Sequence, residues 1–412
     1  MDNIFIEKPY KFVPPFKASW PQTLCTKLGI HWLTMRLREG VTSCEIQNAE
    51  RLSESLAAGH GVMLTPNHPR LKDPTTMHSL IREVDCAFYT MASWHLFNQT
   101  FFIRFVIRLM GAFSVNREGM DRTAIDYAIN ILKTAERPLI IFPEGTTSRT
   151  NDRLMAFMDG PAFIARTAAK RRAKEELGSG KVVVHPIAIK YVFQGDMQTS
   201  TDKVLSTIEK RLSLAPQRDL PLIDRVLKVG DALLSTKESE YSCPVPDGAT
   251  LRERQTNMVN HLMNPIEEEW LGGPQEGAIQ ARVKNVRVKI FPDMTTDTLS
   301  TGERKRRWEQ LERTYLAQQV DCYPEDYVTE HPTVDRIMET VEKFEEDFLG
   351  TSSQHGSLRA ILNVGEAIEV PTRREKGGDG EPLMNQIRES IEEMLQQMAG
   401  ESEMYSPPAS TD

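Results

Sequence analysis

Val62-Met63-Leu64-Thr65-Pro66-Asn67-His68-Pro69-Arg70-Leu71-Lys72-Asp73-Pro74 couples a short apolar run to a turn bounded by prolines. His68 and Asp73 stand five positions apart, which in a continuous helix is about 140° from facing one another. Pro69 and Pro74 each disfavour a helix running through them from the N-terminal side. The stretch therefore predicts a strand ending near Thr65, a tight loop, and a helix opening at Pro74. That arrangement brings both side chains to a strand-to-helix turn, a frequent place for chemistry in an α/β protein. Histidine is the side chain best poised to take a proton near neutral pH, and a carboxylate beside it would fix its tautomer.

Outward from this turn, residues 51–195 alternate strand-like and helix-like segments. Val62–Thr65, Cys86–Met91, Ala112–Val115, Pro138–Phe142 and Lys181–Phe193 read as strands. Pro74–Val84, Leu96–Met110, Thr123–Thr134 and Asp159–Leu177 read as helices. Such alternation predicts an α/β fold with a largely parallel central sheet flanked by helices. Residues 196–355 break the rhythm and read as a large, mostly helical insertion. In Val334–Leu349 the residues Val334, Ile337, Val341, Phe344 and Phe348 form one apolar face. Val283–Phe291 alternates apolar and basic residues and predicts a strand. No 20–50-residue repeat is visible. Residues 356–400 return to the core through a closing strand, Ser357–Val370, a charged loop, Glu375–Glu381, and an amphipathic helix carrying Leu383, Ile387, Ile391 and Leu395. Residues 1–50 read as an arm over the core or a membrane-apposed segment, and 401–412 as a disordered tail.

The 412-residue chain has a formal net charge of −8 that conceals an asymmetry. Residues 1–195 hold 25 Lys+Arg against 18 Asp+Glu, whereas 196–412 hold 25 against 40. A basic half suits phosphate substrates, an anionic lipid surface or an acidic carrier protein. The basic residues are dispersed and no recognition module is visible, so no nucleic acid partner is expected. The five cysteines form no close pairs, which argues against a disulfide framework and a zinc site and fits a reducing compartment. Met1–Glu7 lacks the pattern of a secretory signal, and no apolar stretch is long enough to span a bilayer. Phe101–Met110, with Arg104 and Arg108 one turn apart, fits both an interfacial helix and a core helix with one exposed edge.

Three further blocks accompany the His68 turn. Gly111–Arg117 is a strand delivering an arginine, and Phe142-Pro143-Glu144-Gly145-Thr146-Thr147-Ser148-Arg149 follows a buried-type strand. Val184-His185-Pro186-Ile187-Ala188-Ile189 is the last. In this order and spacing they resemble the glycerolipid acyltransferase family, which includes 1-acylglycerol-3-phosphate and glycerol-3-phosphate acyltransferases. The resemblance covers about 60–195 and not 197–355. It implies that His68 deprotonates an acceptor hydroxyl that attacks an acyl thioester, with Asp73 orienting the imidazole. It further implies that Arg117 holds an acceptor phosphate, that Glu144, Gly145, Thr146 and Arg149 line the acceptor pocket, and that Pro186 shapes the site. The implied donor is acyl-CoA or acyl carrier protein and the implied acceptor a lysophosphatidate or glycerol-phosphate, with no metal and no other cofactor. The implied place is the cytoplasmic face of a membrane, peripherally attached.

Departures from the family pattern bear on the acceptor. Thr147 stands where arginine is often found, Asn116 where aspartate is frequent, and His185 where the position is usually apolar. An acceptor of another kind, such as a lyso-aminolipid, and a non-catalytic lipid-binding scaffold are the competing readings. Asp73 before Pro74 also has the form of a helix N-cap, and His185 that of a satisfied core histidine.

Overall fold

In the computed structural model, which describes residues 6–296, 298–323, 325–350, 353–373 and 380–407, the chain divides into two compact units. One comprises 2–192 and 358–399, and the other 193–357 and 400–412. The charged loop expected at Glu375–Glu381 lies mostly outside the described residues, as do 408–412 of the expected tail.

The first unit is built on a sheet of eight strands among the described residues: β1 Val41–Gln47, β2 Gly61–Pro66, β3 Tyr89–Ser93, β4 Ala112–Val115, β5 Leu139–Ile140, β6 Val182–Gln194, β7 Ser357–Val364 and β8 Ile368–Glu369. Their order is β1-β7-β6-β2-β5-β3-β4, with β8 antiparallel to the start of β6. β6 is buried at every position but its last. Its Val/Ile-rich run does not alternate because both faces of the strand are covered. β6, β2, β5, β3 and β4 are all parallel, so the turns after β2, β5 and β4 open on one edge of the sheet. The fold is therefore α/β with a largely parallel central sheet, as the alternating segments predict.

Helices α1 Trp20–Lys27, α2 Ile30–Glu39, α3 Ala49–Ala57, α4 Asp73–Met77, α5 Ser79–Val84, α6 Phe101–Leu109, α7 Arg122–Thr134 and α8 Gly160–Lys174 connect these strands. Several departures from expectation have local causes. β1 falls in the segment read as an arm, yet it pairs in parallel with β7. An edge strand with one neighbour carries only a weak apolar pattern, here Val41, Cys44 and Ile46. The helix expected over Pro74–Val84 is split at His78, whose N–H reaches Thr75 O at 3.2 Å in a tighter turn. The helix expected over Leu96–Met110 is a 3₁₀ turn, Trp94–Asn98, followed by α6, whose start is capped by Thr100 Oγ1 accepting from Ile103 N at 3.1 Å. α6 has no buried residue, which removes the core-helix reading.

The strand expected over Ser357–Val370 is interrupted at Gly365, whose N–H donates to Pro186 O at 2.8 Å. A Cβ there would lie 2.9 Å from that oxygen, so the close approach requires glycine. Helix α15, Pro382–Gln397, then covers the sheet with Leu383, Ile387, Ile391 and Leu395 buried.

The second unit contains α9 Met197–Arg211, α10 Leu222–Glu240, α11 Leu251–Leu271, α12 Ile279–Ile290, α13 Thr301–Asp321 and α14 Val334–Leu349. The strand expected at Val283–Phe291 is instead part of α12. Its buried apolar residues Ile279, Val283, Val286 and Ile290 step by three and four, and the local alternation is incidental to that face. Residues 401–407, expected to be disordered, are held in place: Val334 N donates to Glu403 O and Tyr405 N to Pro332 O.

A repeat of 28 to 29 residues also runs through this unit, contrary to the sequence reading. Arg225 donates from Nε and Nη2 to Glu209, from Nη2 to Ser206 and from Nη1 to Asp202. Arg254 uses the same atoms on Glu238, Ser235 and Asp231. Arg282 uses them on Glu267, Asn264 and Asn260. The buried residues Val229, Met258 and Val286 each follow their arginine by four. The repeated positions are polar and few, so a scan for apolar periodicity passes over them.

Removing one partner from such a clamp leaves buried charge uncompensated, worth about 3–5 kcal/mol. Arg225→Ala strips the guanidinium from both Glu209 and Asp202. Chemical denaturation of this variant is expected to show a loss of that size, and a loss within experimental error of zero would refute the clamp as a stabilising element.

Candidate active site

The site begins where β2 runs out and β6 continues. Past Pro66, the side-chain amide of Asn67 takes the place of a strand: Nδ2 donates to Ile189 O at 3.0 Å and Oδ1 accepts from Ile189 N at 2.7 Å. Two residues further along β6, Asn151 does the same with Tyr191, at 2.7 and 2.9 Å. The turn after β2 and the loop near 151 are thus both tied to one strand.

His68 follows Asn67 and reaches back across its own turn. Its Nδ1 lies 2.7 Å from Asp73 Oδ2, which also accepts from Arg70 N at 2.9 Å. Asp73 is fully buried, and its other oxygen accepts from the Tyr191 hydroxyl at 2.7 Å. The cap reading of Asp73 is not what forms: Lys72 occupies the cap position of α4, and Asp73 sits in the first turn. Its backbone donor, Arg70 N, belongs to the preceding loop rather than to the helix.

The second wall comes from the turn after β5. Phe142 stacks on the His68 ring with centroids 4.1 Å apart. Glu144 is buried and accepts from His68 N at 2.7 Å and Met155 N at 2.9 Å. Burial pushes its carboxyl up to about 7, while the two backbone donors and His68 pull it down. Both its oxygens therefore hold backbone, so Glu144 acts on the site by fixing the turns on either side. Gly145 has φ 68°, and a Cβ would meet Met158 Sδ at 2.5 Å. Ser148 N donates to His68 O at 2.8 Å, closing this turn over the first. Thr146 and Arg149 are half-buried in the same turn, Arg149 in left-handed backbone with φ 63°.

The imidazole geometry determines its chemistry. A carboxylate at Nδ1 demands a proton there, which leaves the Nε2 lone pair as the basic atom. No described residue hydrogen-bonds Nε2, and the side chain is 16% exposed, enough for an acceptor to approach. His185 is different. It is buried on β6 with Nδ1 donating to Gly365 O and Nε2 accepting from Ser55 Oγ, both at 2.9 Å. Burial lowers its pKa, partly opposed by the Gly365 carbonyl, so it is a neutral, satisfied core histidine. Pro186 is buried in β6 opposite Thr65 and receives Gly365 N, a place within the sheet.

Arg117 follows β4, three strand positions from β2 or roughly 14 Å. Its loop is held by Asp121, which accepts from Asn116 N and Ala124 N, both at 3.0 Å. The guanidinium is half-buried and makes no hydrogen bond or ion pair with any described residue. Burial pulls its pKa down, Glu118 opposing. Sequence reasoning missed Tyr191, Asn67 and Asn151. Their signal was present only as polar residues flanking an apolar strand, which does not reveal what they bond. Among the described residues, no cluster of three or more His, Cys, Asp or Glu side chains is placed to hold a metal ion.

The acyltransferase family model matches residues 44–190, which hold His68, Asp73, Glu144 and Asn151, with Tyr191 one position beyond. A stretch of 84 residues is 40% identical to a 1-acyl-sn-glycerol-3-phosphate acyltransferase of Streptococcus pneumoniae (strain ATCC BAA-255 / R6), covering 20% of this chain and 30% of that relative. The chain thus spans under a third of the relative's length. Residues 44–190, with the His68–Asp73 turn and the blocks that surround it, thus match an acyltransferase family model, and part of the chain is similar to a glycerolipid acyltransferase.

Proposed function

We propose that the protein moves an acyl group from a thioester of coenzyme A or acyl carrier protein to the hydroxyl of a lysophosphatidate-type acceptor. The observation that carries this reading is the 2.7 Å contact between His68 Nδ1 and buried Asp73, which leaves Nε2 as an accessible base. In the step, Nε2 takes the acceptor proton as the oxygen attacks the thioester carbonyl. The C–O bond forms, the C–S bond breaks, and the imidazolium returns its proton to the departing thiolate. Asp73 stabilises the imidazolium while it exists. The guanidinium of Arg117, which no described residue pairs, favours a phosphorylated acceptor, since a phosphate would restore the interactions it loses on burial. The 1-acylglycerol-3-phosphate named for the pneumococcal relative has that chemistry.

A lipid acceptor places the protein against a membrane surface, and no described helix is long and apolar enough to cross one. Exposed apolar residues on the first unit support peripheral docking: Trp20, Leu24 and Leu28 on and after α1, Leu33 and Leu37 on α2, and Phe101, Phe102 and Phe105 on α6. Phe101 is 86% exposed. Lys72 Nζ pairs with Glu39 at the end of α2, so this surface adjoins the catalytic turn, where Leu71 is also exposed. The five cysteines are free, which favours the cytoplasmic face.

Three measurements test the reading. His68→Ala is expected to lower kcat at least about 10²-fold with lysophosphatidate as acceptor while leaving thermal melting near that of the parent. Full activity in this variant would end the general-base assignment. Arg117→Ala should raise the acceptor KM about tenfold or more and leave the thioester KM unchanged, because only the charge-assisted contact is lost. Equal effects on both substrates would show that the phosphate is held elsewhere. In flotation with anionic phospholipid vesicles, the parent should rise with the lipid and Phe101→Asp/Phe102→Asp should stay largely below. Indifference to the double change would remove α6 from the docking surface.

A further inference from the structure

We propose that Tyr191 is a positioning residue for the His68–Asp73 pair, using its hydroxyl to hold the Asp73 carboxylate in the one orientation that receives the imidazole. This rests on the assignment of His68 as the base. The Tyr191 hydroxyl lies 2.7 Å from Asp73 Oδ1 and 2.8 Å from Thr76 Oγ1. A carboxylate oxygen accepts, so the Tyr191 proton points at Asp73 and the Tyr191 oxygen accepts from Thr76. A chain of donors follows, from Thr76 through Tyr191 to Asp73, which in turn receives His68 Nδ1–H.

The tyrosine is well placed to impose an orientation because its own freedom is removed. Its backbone is paired in both directions with the Asn151 amide, the Arg70 guanidinium lies 5.3 Å from its ring centroid, and the residue is 2% exposed. Asp73 needs such a partner. It is fully buried, and without a donor on Oδ1 the carboxylate could rotate about its Cβ–Cγ bond and misdirect Oδ2.

The test uses the full-length protein with acyl-CoA and lysophosphatidate. In Tyr191→Phe, kcat should fall about tenfold while both KM values stay within twofold. Thr76→Val, which keeps the tyrosine but removes the donor that aligns it, should lower kcat by less. In a His68→Ala background, Tyr191→Phe should lower activity no further, because the tyrosine acts through the histidine. An unaltered kcat in Tyr191→Phe overturns the proposal, and so does an equal further loss in the His68→Ala background, which a packing lesion would give. Should His68→Ala alone remain fully active, the general-base reading fails, a result read from that single variant and separate from the comparison.

Discussion

A carboxylate with no contact to solvent must be met by donors, and Asp73 is the buried charge around which this site is organised. Its three donors come from different places: the His68 ring, the Arg70 backbone N–H and the Tyr191 hydroxyl. The first two require the chain to double back between Pro69 and Asp73, and the third requires β6 to pass behind the turn. The orientation and tautomer of His68 follow from satisfying that one group. The geometry proposed for catalysis and the solvation of a buried charge are here the same requirement.

The turn can bear this demand because β6 extends past its neighbour. Where β2 ends, the side-chain amides of Asn67 and Asn151 complete pairings that a backbone would otherwise supply. Glu144 adds a bridge between the His68 and Met155 amides, in a position where burial raises its carboxyl to about 7. Side chains thus do the work of backbone at the edge of the sheet, where strands stop and loops would otherwise be loosely held. Arg117 stands apart from this network, with its loop ordered by Asp121 and its guanidinium uncommitted among the described residues.

The second unit shows another solution to buried charge. Three arginines with the same four donor contacts recur along consecutive helices, each tying a helix to the one before it. Bidentate guanidinium–carboxylate geometry fixes how two helices meet more tightly than apolar contact does. This gives the acidic half of the chain an ordered interior although many of its charges are exposed.

Much of the α/β unit was legible in sequence. The alternation of β-like and α-like runs, the prolines around His68 and the block at Phe142–Arg149 depend on local chain stiffness and on which residues a covered strand tolerates. Those are properties of neighbouring residues, so the sequence by itself determined the sheet, its main connections, and the meeting of His68 with Asp73. It did not determine β1, whose edge position leaves little apolar pattern, or α12, whose residues satisfy periods of both two and three to four until burial selects one. Nor did it determine Tyr191's place beside Asp73, or the pairing of Glu238 with Arg254, which needs helices to pack first. Only the tertiary structure decided these, because a hydrogen bond between residues 118 positions apart is a fact about where strands lie, and no local preference encodes it.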